Sequence, residues 1–246
     1  MQLSRFKPRE ELAFALQGKR RLAIFACTVC ANFSRTGGHA GIRYMKGILQ
    51  ELDKEIVVSH CITGCCLENV LRATFDRTLP SIAHRLDALV MLSCSSGVKT
   101  AFLFSPGIPV IAACDTLGSR PVSLQTNNIC DTLCKGCERC IISYTGGICP
   151  RRTCPRSLFG PCKAAPLNQE ESVCSVNPHH DCVWKEIISR GVDLQALAYL
   201  KSMPLPTGVL SSGRKRPRAR RVITRFFARM LSLTSGLISR IILWLE

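Results

Sequence analysis

The chain has 246 residues, 46% of them apolar, so it can bury one large core or two smaller ones. Its net charge of +16 is unevenly spread: residues 214–229 carry eight basic groups and no acid, so the excess is not read as a nucleic-acid footprint of the whole chain. Sixteen cysteines are the outlying feature, and they fit either a disulfide framework or metal ligation.

Residues 1–21, MQLSRFKPREELAFALQGKRR, hold no apolar run of signal-peptide length. No stretch of about 18 uncharged apolar residues occurs, which excludes an ordinary transmembrane helix. A cytoplasmic location is the expectation, and a reducing compartment favours metal over disulfide.

From residue 20 the pattern alternates. RLAIFA (21–26), EIVVSH (55–60), LDALVML (86–92) and IPVIAA (108–113) read as strands. Between them, residues 37–52 show helical spacing through Ile42, Met45, Ile48, Leu49 and Leu52, and 67–75 and 97–104 read as further helices. The expectation is an α/β domain over residues 20–125, with a parallel, Rossmann- or flavodoxin-like sheet covered by helices on both faces. Cys27 and Cys30 follow the first strand, Cys61, Cys65 and Cys66 the second, Cys94 the third and Cys114 the fourth. The carboxyl ends of parallel strands share one edge, where ligands bind. A single cysteine there is most often a small buried hydrophobe; seven at equivalent positions point to a shared site.

Residues 126–190 contain nine cysteines, punctuating Gly and Pro, and almost no apolar periodicity. Such a segment is not expected to build an apolar core and needs metal staples. Cys134-x-x-Cys137-x-x-Cys140 followed by Cys149-Pro150 follows the style of [4Fe–4S] loops, although the Cys-Pro comes later than in ferredoxins. Zinc more commonly takes two separate Cys-x-x-Cys knuckles. Cys154, Cys162, Cys174 and Cys182 form a candidate second quartet. His179 and His180 read better as solvated loop residues. Arg139, Arg151, Arg152 and Arg156 are expected to offset cluster charge.

The strings CKGCERCIISYTGGICPRRTCPRSLFGPC (134–162) and VCSVNPHHDCVW (173–184) resemble the C-terminal domain family associated with methylenetetrahydrofolate reductase. CTVCANFSRTGG, CCLENVLRA, LVMLSCSSGVKT and ACDTL in the first segment are similar to it as well, so the resemblance spans about residues 20–190. It implies a subunit carrying iron–sulfur and zinc that pairs with the flavin-containing subunit and conducts electrons or docks other redox subunits, without holding folate itself. It also implies iron–sulfur ligation by Cys134, Cys137, Cys140, Cys149, Cys154, Cys162, Cys174 and Cys182. Ser34 stands where the family has a third cysteine, which leaves Cys27, Cys30, Cys66 and Cys94 to complete a site for zinc or a further cluster. Lys163-Ala164 replaces the family's Gly-Gly. The alternative function is a zinc-dependent methyl-transfer or thiol-activating enzyme using the strand-end cysteines.

Residues 200–221 read as a basic linker and 222–246 as an amphipathic helix. Ile223, Phe226, Phe227 and Met230 lead its apolar face, with Arg225, Arg229 and Arg240 opposite. The face suits a membrane surface or a protein partner equally. Nucleic acid ranks third, since no recognition module accompanies the arginines.

Overall fold

The computed structural model describes residues 2–105, 107–119, 134, 137, 139–154, 156–162, 173, 174, 176, 177 and 179–204. The chain opens with a strand, β1 (Gln2–Phe6), and a short helix, α1 (Arg9–Ala15). β2 (Arg21–Cys27) leads into α2 (Cys30–Phe33) and α3 (Gly38–Glu51). β3 (Glu55–Ile62), α4 (Glu68–Thr78), β4 (Ala88–Leu92), α5 (Ser95–Phe104) and β5 (Val110–Ala112) alternate as the apolar runs require, and β6 (Cys114–Ser119) follows.

Strands β2 to β5 form one parallel sheet in the order β3-β2-β4-β5. The central strands β2 and β4 are buried along nearly their whole length, which is why they read as unbroken apolar runs. Alternate residues serve opposite faces. Ala23, Phe25, Leu89 and Met91 pack with Leu71 and Phe75 of α4 and with Val98 and Ala101 of α5. Leu22, Ile24, Val90 and Leu92 pack with Leu12 and Leu16 and with Ile42, Met45 and Leu49 of α3. Part of the second covering layer therefore comes from α1, which precedes residue 20, where the sequence reading starts the domain.

The chain moves from β2 to β3 on one side and then to β4 on the other. The crevice between the carboxyl ends of β2 and β4 is thus the switch point of the sheet, the place where such folds bind ligands. Cys27 ends β2 and Cys94 precedes α5, so the two flank it. Cys61 lies inside β3 and pairs with Ala26 across the ladder, rather than beyond the strand end as the apolar run suggests.

Two elements are absent from the sequence reading. β1 pairs antiparallel with β6, with Arg5 opposite Asp115 and Phe6 opposite Cys114. The cysteine-rich segment also joins an apolar cluster, which it completes with residues from beyond 190 and from α1. Ile141, Trp184, Ile187, Leu197 and Leu200 are buried together, and Phe14 of α1 packs against them. The helices that deliver these residues are α7 (Val183–Ser189) and α8 (Leu194–Ser202), which come after the short α6 (Pro150–Thr153). Asp193 caps α8, its Oδ1 accepting from the N–H groups of Gln195 at 2.8 Å and Ala196 at 3.2 Å. α8 runs three residues into the segment expected as linker. Among the described residues no helix is long and apolar enough to cross a membrane. The helix expected over 222–246, with Ile223, Phe226, Phe227 and Met230, lies outside the described residues.

Candidate metal centre

None of the fifteen described cysteines is in a disulfide; Cys130 lies outside the described residues. Nine of them fall in two groups, one at the switch point and one on a cavity beside α5.

The first group sits at the switch point. Cys27 and Cys65 share a hydrogen bond between their sulfurs. That bond is the largest influence bringing Cys27 down to about 5; burial opposes it, and the N–H groups of Cys65, Val29 and Ala31 reinforce it. The same contact and burial push Cys65 up, so the pair favours one thiolate between two sulfurs. Cys94 is raised to about 12, chiefly by burial, with the N–H of Gly97 pulling the other way. Cys30, Cys66 and Cys27 lie close enough to oppose its ionisation further. All four first-segment residues picked from the sequence therefore converge. Cys65 joins them as a fifth thiol, which the sequence reading placed at the strand end but left out of the quartet.

Ser34 has a structural role of its own. Its hydroxyl accepts from the Ser4 N–H at 3.1 Å and donates to the Cys30 carbonyl at 3.2 Å. The Ser4 hydroxyl in turn meets that of Thr36 at 2.7 Å. A position expected to supply a ligand instead ties β1 to the end of α2. Close approach also fixes a residue type at Gly97. A Cβ there would lie 2.1 Å from Ser93 Oγ and 2.7 Å from Cys65 Cβ. Gly97→Ala is expected to destabilise the fold by about 1–3 kcal/mol through overpacking. Urea unfolding read alongside the alkylation rate of Cys65 would test this: the midpoint should fall and Cys65 should react faster.

The second group is built by the 134–149 loop. Cys134, Cys137, Cys140 and Cys149 line one cavity of about 40 Å³, together with Ser95 and Lys99 of α5. The loop docks on the sheet through Ser143, whose Oγ accepts from the Ala112 N–H at the end of β5 at 2.6 Å. The Thr145-Gly146-Gly147 turn then reverses the chain. Gly146 and Gly147 sit at φ +61 and +84, where a side chain is strained, and a Cβ on Gly147 would meet Phe102 at 2.8 Å. Buried Thr145 donates its hydroxyl to the Ile148 carbonyl at 2.5 Å. This turn brings Cys149 back beside Cys140.

Cys154, Cys174 and Cys182 lie elsewhere, packed on the apolar cluster of Trp184, Ile187, Leu197 and Leu200. Cys174 and Cys182 follow Val173 and Asp181, which pair in an antiparallel bridge. The Cys154 sulfur accepts from the Ser157 N–H at 3.4 Å. Cys162 is half-buried. His179 and His180 are exposed, as expected for solvated residues. Among the described residues, no three His, Cys, Asp or Glu side chains stand close enough to share a single metal ion.

A buried ion network, invisible in the sequence, underlies the second group. The Lys7 side chain has no solvent exposure; its Nζ donates to Glu11 Oε1 at 2.5 Å, to Asp115 Oδ1 at 2.8 Å and to the Cys140 carbonyl at 2.8 Å. Burial alone would pull Lys7 down, but Asp115 and Glu11 hold it above its ordinary value. Arg139 Nε stands 3.4 Å from Glu11 Oε2, and its NH1 and NH2 groups donate to the carbonyls of Leu200, Met203 and Pro204. Arg139 therefore caps α8 and balances Glu11, and it also lines the cavity of the second group. Arg151, Arg152 and Arg156 are exposed.

Residues 115–208 match the family model described as Methylene-tetrahydrofolate reductase C terminal. The similarity is confined to that segment. The match begins at Asp115, on β6, and takes in the whole cysteine-rich segment and α8; the parallel sheet lies outside it. No curated protein and no solved structure matches the chain. Within the matched segment, Cys134-x-x-Cys137-x-x-Cys140 forms cavity wall, Thr145-Gly146-Gly147 the reversing turn, and Cys182-x-Trp184 leads into α7.

Proposed function

We propose that the chain is a metal-binding subunit for electron transfer and assembly, working beside a flavin-dependent methylenetetrahydrofolate reductase in one-carbon metabolism. The observation that carries this reading is the convergence of Cys134, Cys137, Cys140 and Cys149 on one cavity within the matched segment. The donor set is all sulfur, which suits iron–sulfur clusters and zinc and excludes hard cations. Cys134, Cys137, Cys140 and Cys149 would hold a [4Fe–4S] cluster. Cys154, Cys162, Cys174 and Cys182 would form the second set, and Cys27, Cys30, Cys66 and Cys94, with Cys65 beside them, would hold zinc or a further cluster. A bound cluster supplies a one-electron carrier; the chain's residues supply its seat. The backbone N–H groups of Val29, Ala31, Gly97 and Ile142 point at sulfurs and favour their thiolate forms. The partner is a flavin-containing reductase subunit, and the tail offers the remaining contact, to protein or to a membrane surface.

Anaerobic purification with iron, sulfide and zinc analysis tests this. Broad visible absorption that bleaches with dithionite is expected, with acid-labile sulfide matching iron. A colourless chain holding stoichiometric zinc would overturn the iron–sulfur reading. That second outcome would favour a zinc-dependent methyl-transfer or thiol-activating enzyme, which the lowered Cys27 and exposed Cys66 suit.

A further inference from the structure

We propose that Lys7 and Asp115 are positioning residues that clamp Cys140 by both of its backbone polar groups. The proposal rests on the cluster reading above and adds to it residues from outside the cysteine motif. Asp115 Oδ1 accepts from the Cys140 N–H at 2.8 Å, and Lys7 Nζ donates to the Cys140 carbonyl at 2.8 Å. The two clamping groups bind each other at 2.8 Å. They come from opposite sides of the β1–β6 ribbon: Asp115 lies on β6, and Lys7 follows β1, its N–H donating to the Ala113 carbonyl at 3.0 Å. A fixed peptide on each side leaves Cys140 little freedom except about its own side-chain torsions. The last cysteine of the Cys-x-x-Cys-x-x-Cys run is thereby held against the cavity.

Two consequences separate this from mere stabilisation. The clamp orients one ligand of a set, so its loss acts on Cys140 before it acts on the buried cysteines of the other group. Lys7 also places a positive charge, desolvated and with no solvent to screen it, beside the cavity. Such a charge stabilises the more negative, reduced state of any centre there, so its removal lowers the reduction potential.

The test is Lys7→Met combined with Glu11→Gln, which removes the Lys7 half of the clamp and one buried charge of each sign, leaving the Asp115 bond to the Cys140 N–H in place. Glu11→Gln alone is the control. In the full-length, metal-free chain, mass-spectrometric mapping across a pH series, with each rate normalised to the thiolate fraction, should show Cys140 alkylated about tenfold faster or more than in the control, as expected for the loss of one charge-assisted hydrogen bond. Cys27 and Cys94 should be unchanged. In the iron-loaded chain the midpoint potential should fall relative to the control. Uniform acceleration at Cys27, Cys94 and Cys140, or no acceleration at Cys140, would overturn the clamp. An unaltered potential in a chain that retains its iron would overturn it too. The alkylation arm needs no metal, so it still decides the matter should the wild-type chain prove free of iron.

Discussion

Arg139→Met is expected to cost about 3–5 kcal/mol, the range for removing one partner of a buried ion pair. The residue is 2% exposed, and its side chain has two duties that methionine cannot perform. The first is charge. Glu11, also fully buried, faces Lys7 on one side and Arg139 on the other. Without the guanidinium, Lys7 must balance Glu11 by itself while sharing Asp115 with Arg5, in a region of low dielectric. The second duty is geometric. The planar fork reaches the carbonyls of Leu200, Met203 and Pro204, the groups a helix end leaves without intrahelical partners. Lysine would carry the charge but not the fork, so Arg139→Lys should recover only part of the loss. Urea unfolding of the full chain gives the midpoint, and hydrogen exchange over residues 194–203 gives the local effect. Adding Glu11→Gln to Arg139→Met should restore part of the midpoint while leaving exchange in α8 fast. An unchanged midpoint for the single variant would mean that the network contributes nothing to stability.

This network also marks the limit of what the sequence reveals. The parallel sheet was legible because its strands are buried on both faces and so appear as unbroken apolar runs of β-branched and aliphatic residues, separated by helical periodicity. The placement of Cys27, Cys30, Cys65, Cys66 and Cys94 on one edge followed from topology alone. β1 and α1 were not legible. QLSRF does not alternate, its two strongly apolar side chains, Leu3 and Phe6, being separated by a serine and a charged residue, and its pairing partner lies more than 100 residues away in β6. Nothing local in KPREE shows that Lys7 and Glu11 are buried, since Lys-x-x-x-Glu is an ordinary exposed helix pair. The apolar cluster of the cysteine-rich segment was missed for a related reason. Its members come in pairs, Trp184 with Ile187 and Leu197 with Leu200, in helices too short for a periodic signal. Arg139 illustrates the same limit from the opposite side. Its place between Cys137 and Cys140 suggested a charge partner for a cluster, and the fold also ties it to Glu11 and the end of α8.

The double variant Cys137→Ser, Cys140→Ser is expected to lose the iron of the second group while the metal of the first group stays bound. The two groups are separate in space: Cys134, Cys137, Cys140 and Cys149 share their cavity, whereas Cys27, Cys30, Cys65, Cys66 and Cys94 share the switch point. A serine hydroxyl is a hard, weakly acidic donor and a poor replacement for thiolate on iron or zinc. Cys140 carries the larger share of the effect, because its peptide is held at both ends and cannot swing to let a neighbouring residue replace it. The fold itself should persist. Cys137 and Cys140 are only partly buried, and Ser143, Thr145 and the two glycines still dock the loop on β5. Iron, sulfide and zinc per chain, measured on the variant and the wild type after identical anaerobic purification, read the result. Iron should fall by about the complement of one cluster while the metal of the first group stays constant. Equal loss from both groups would show that the cysteines serve one shared centre, and the two-site arrangement would then be wrong. Circular dichroism separates this from unfolding, since α3, α4 and α5 lie outside the loop and supply most of the long-helix signal.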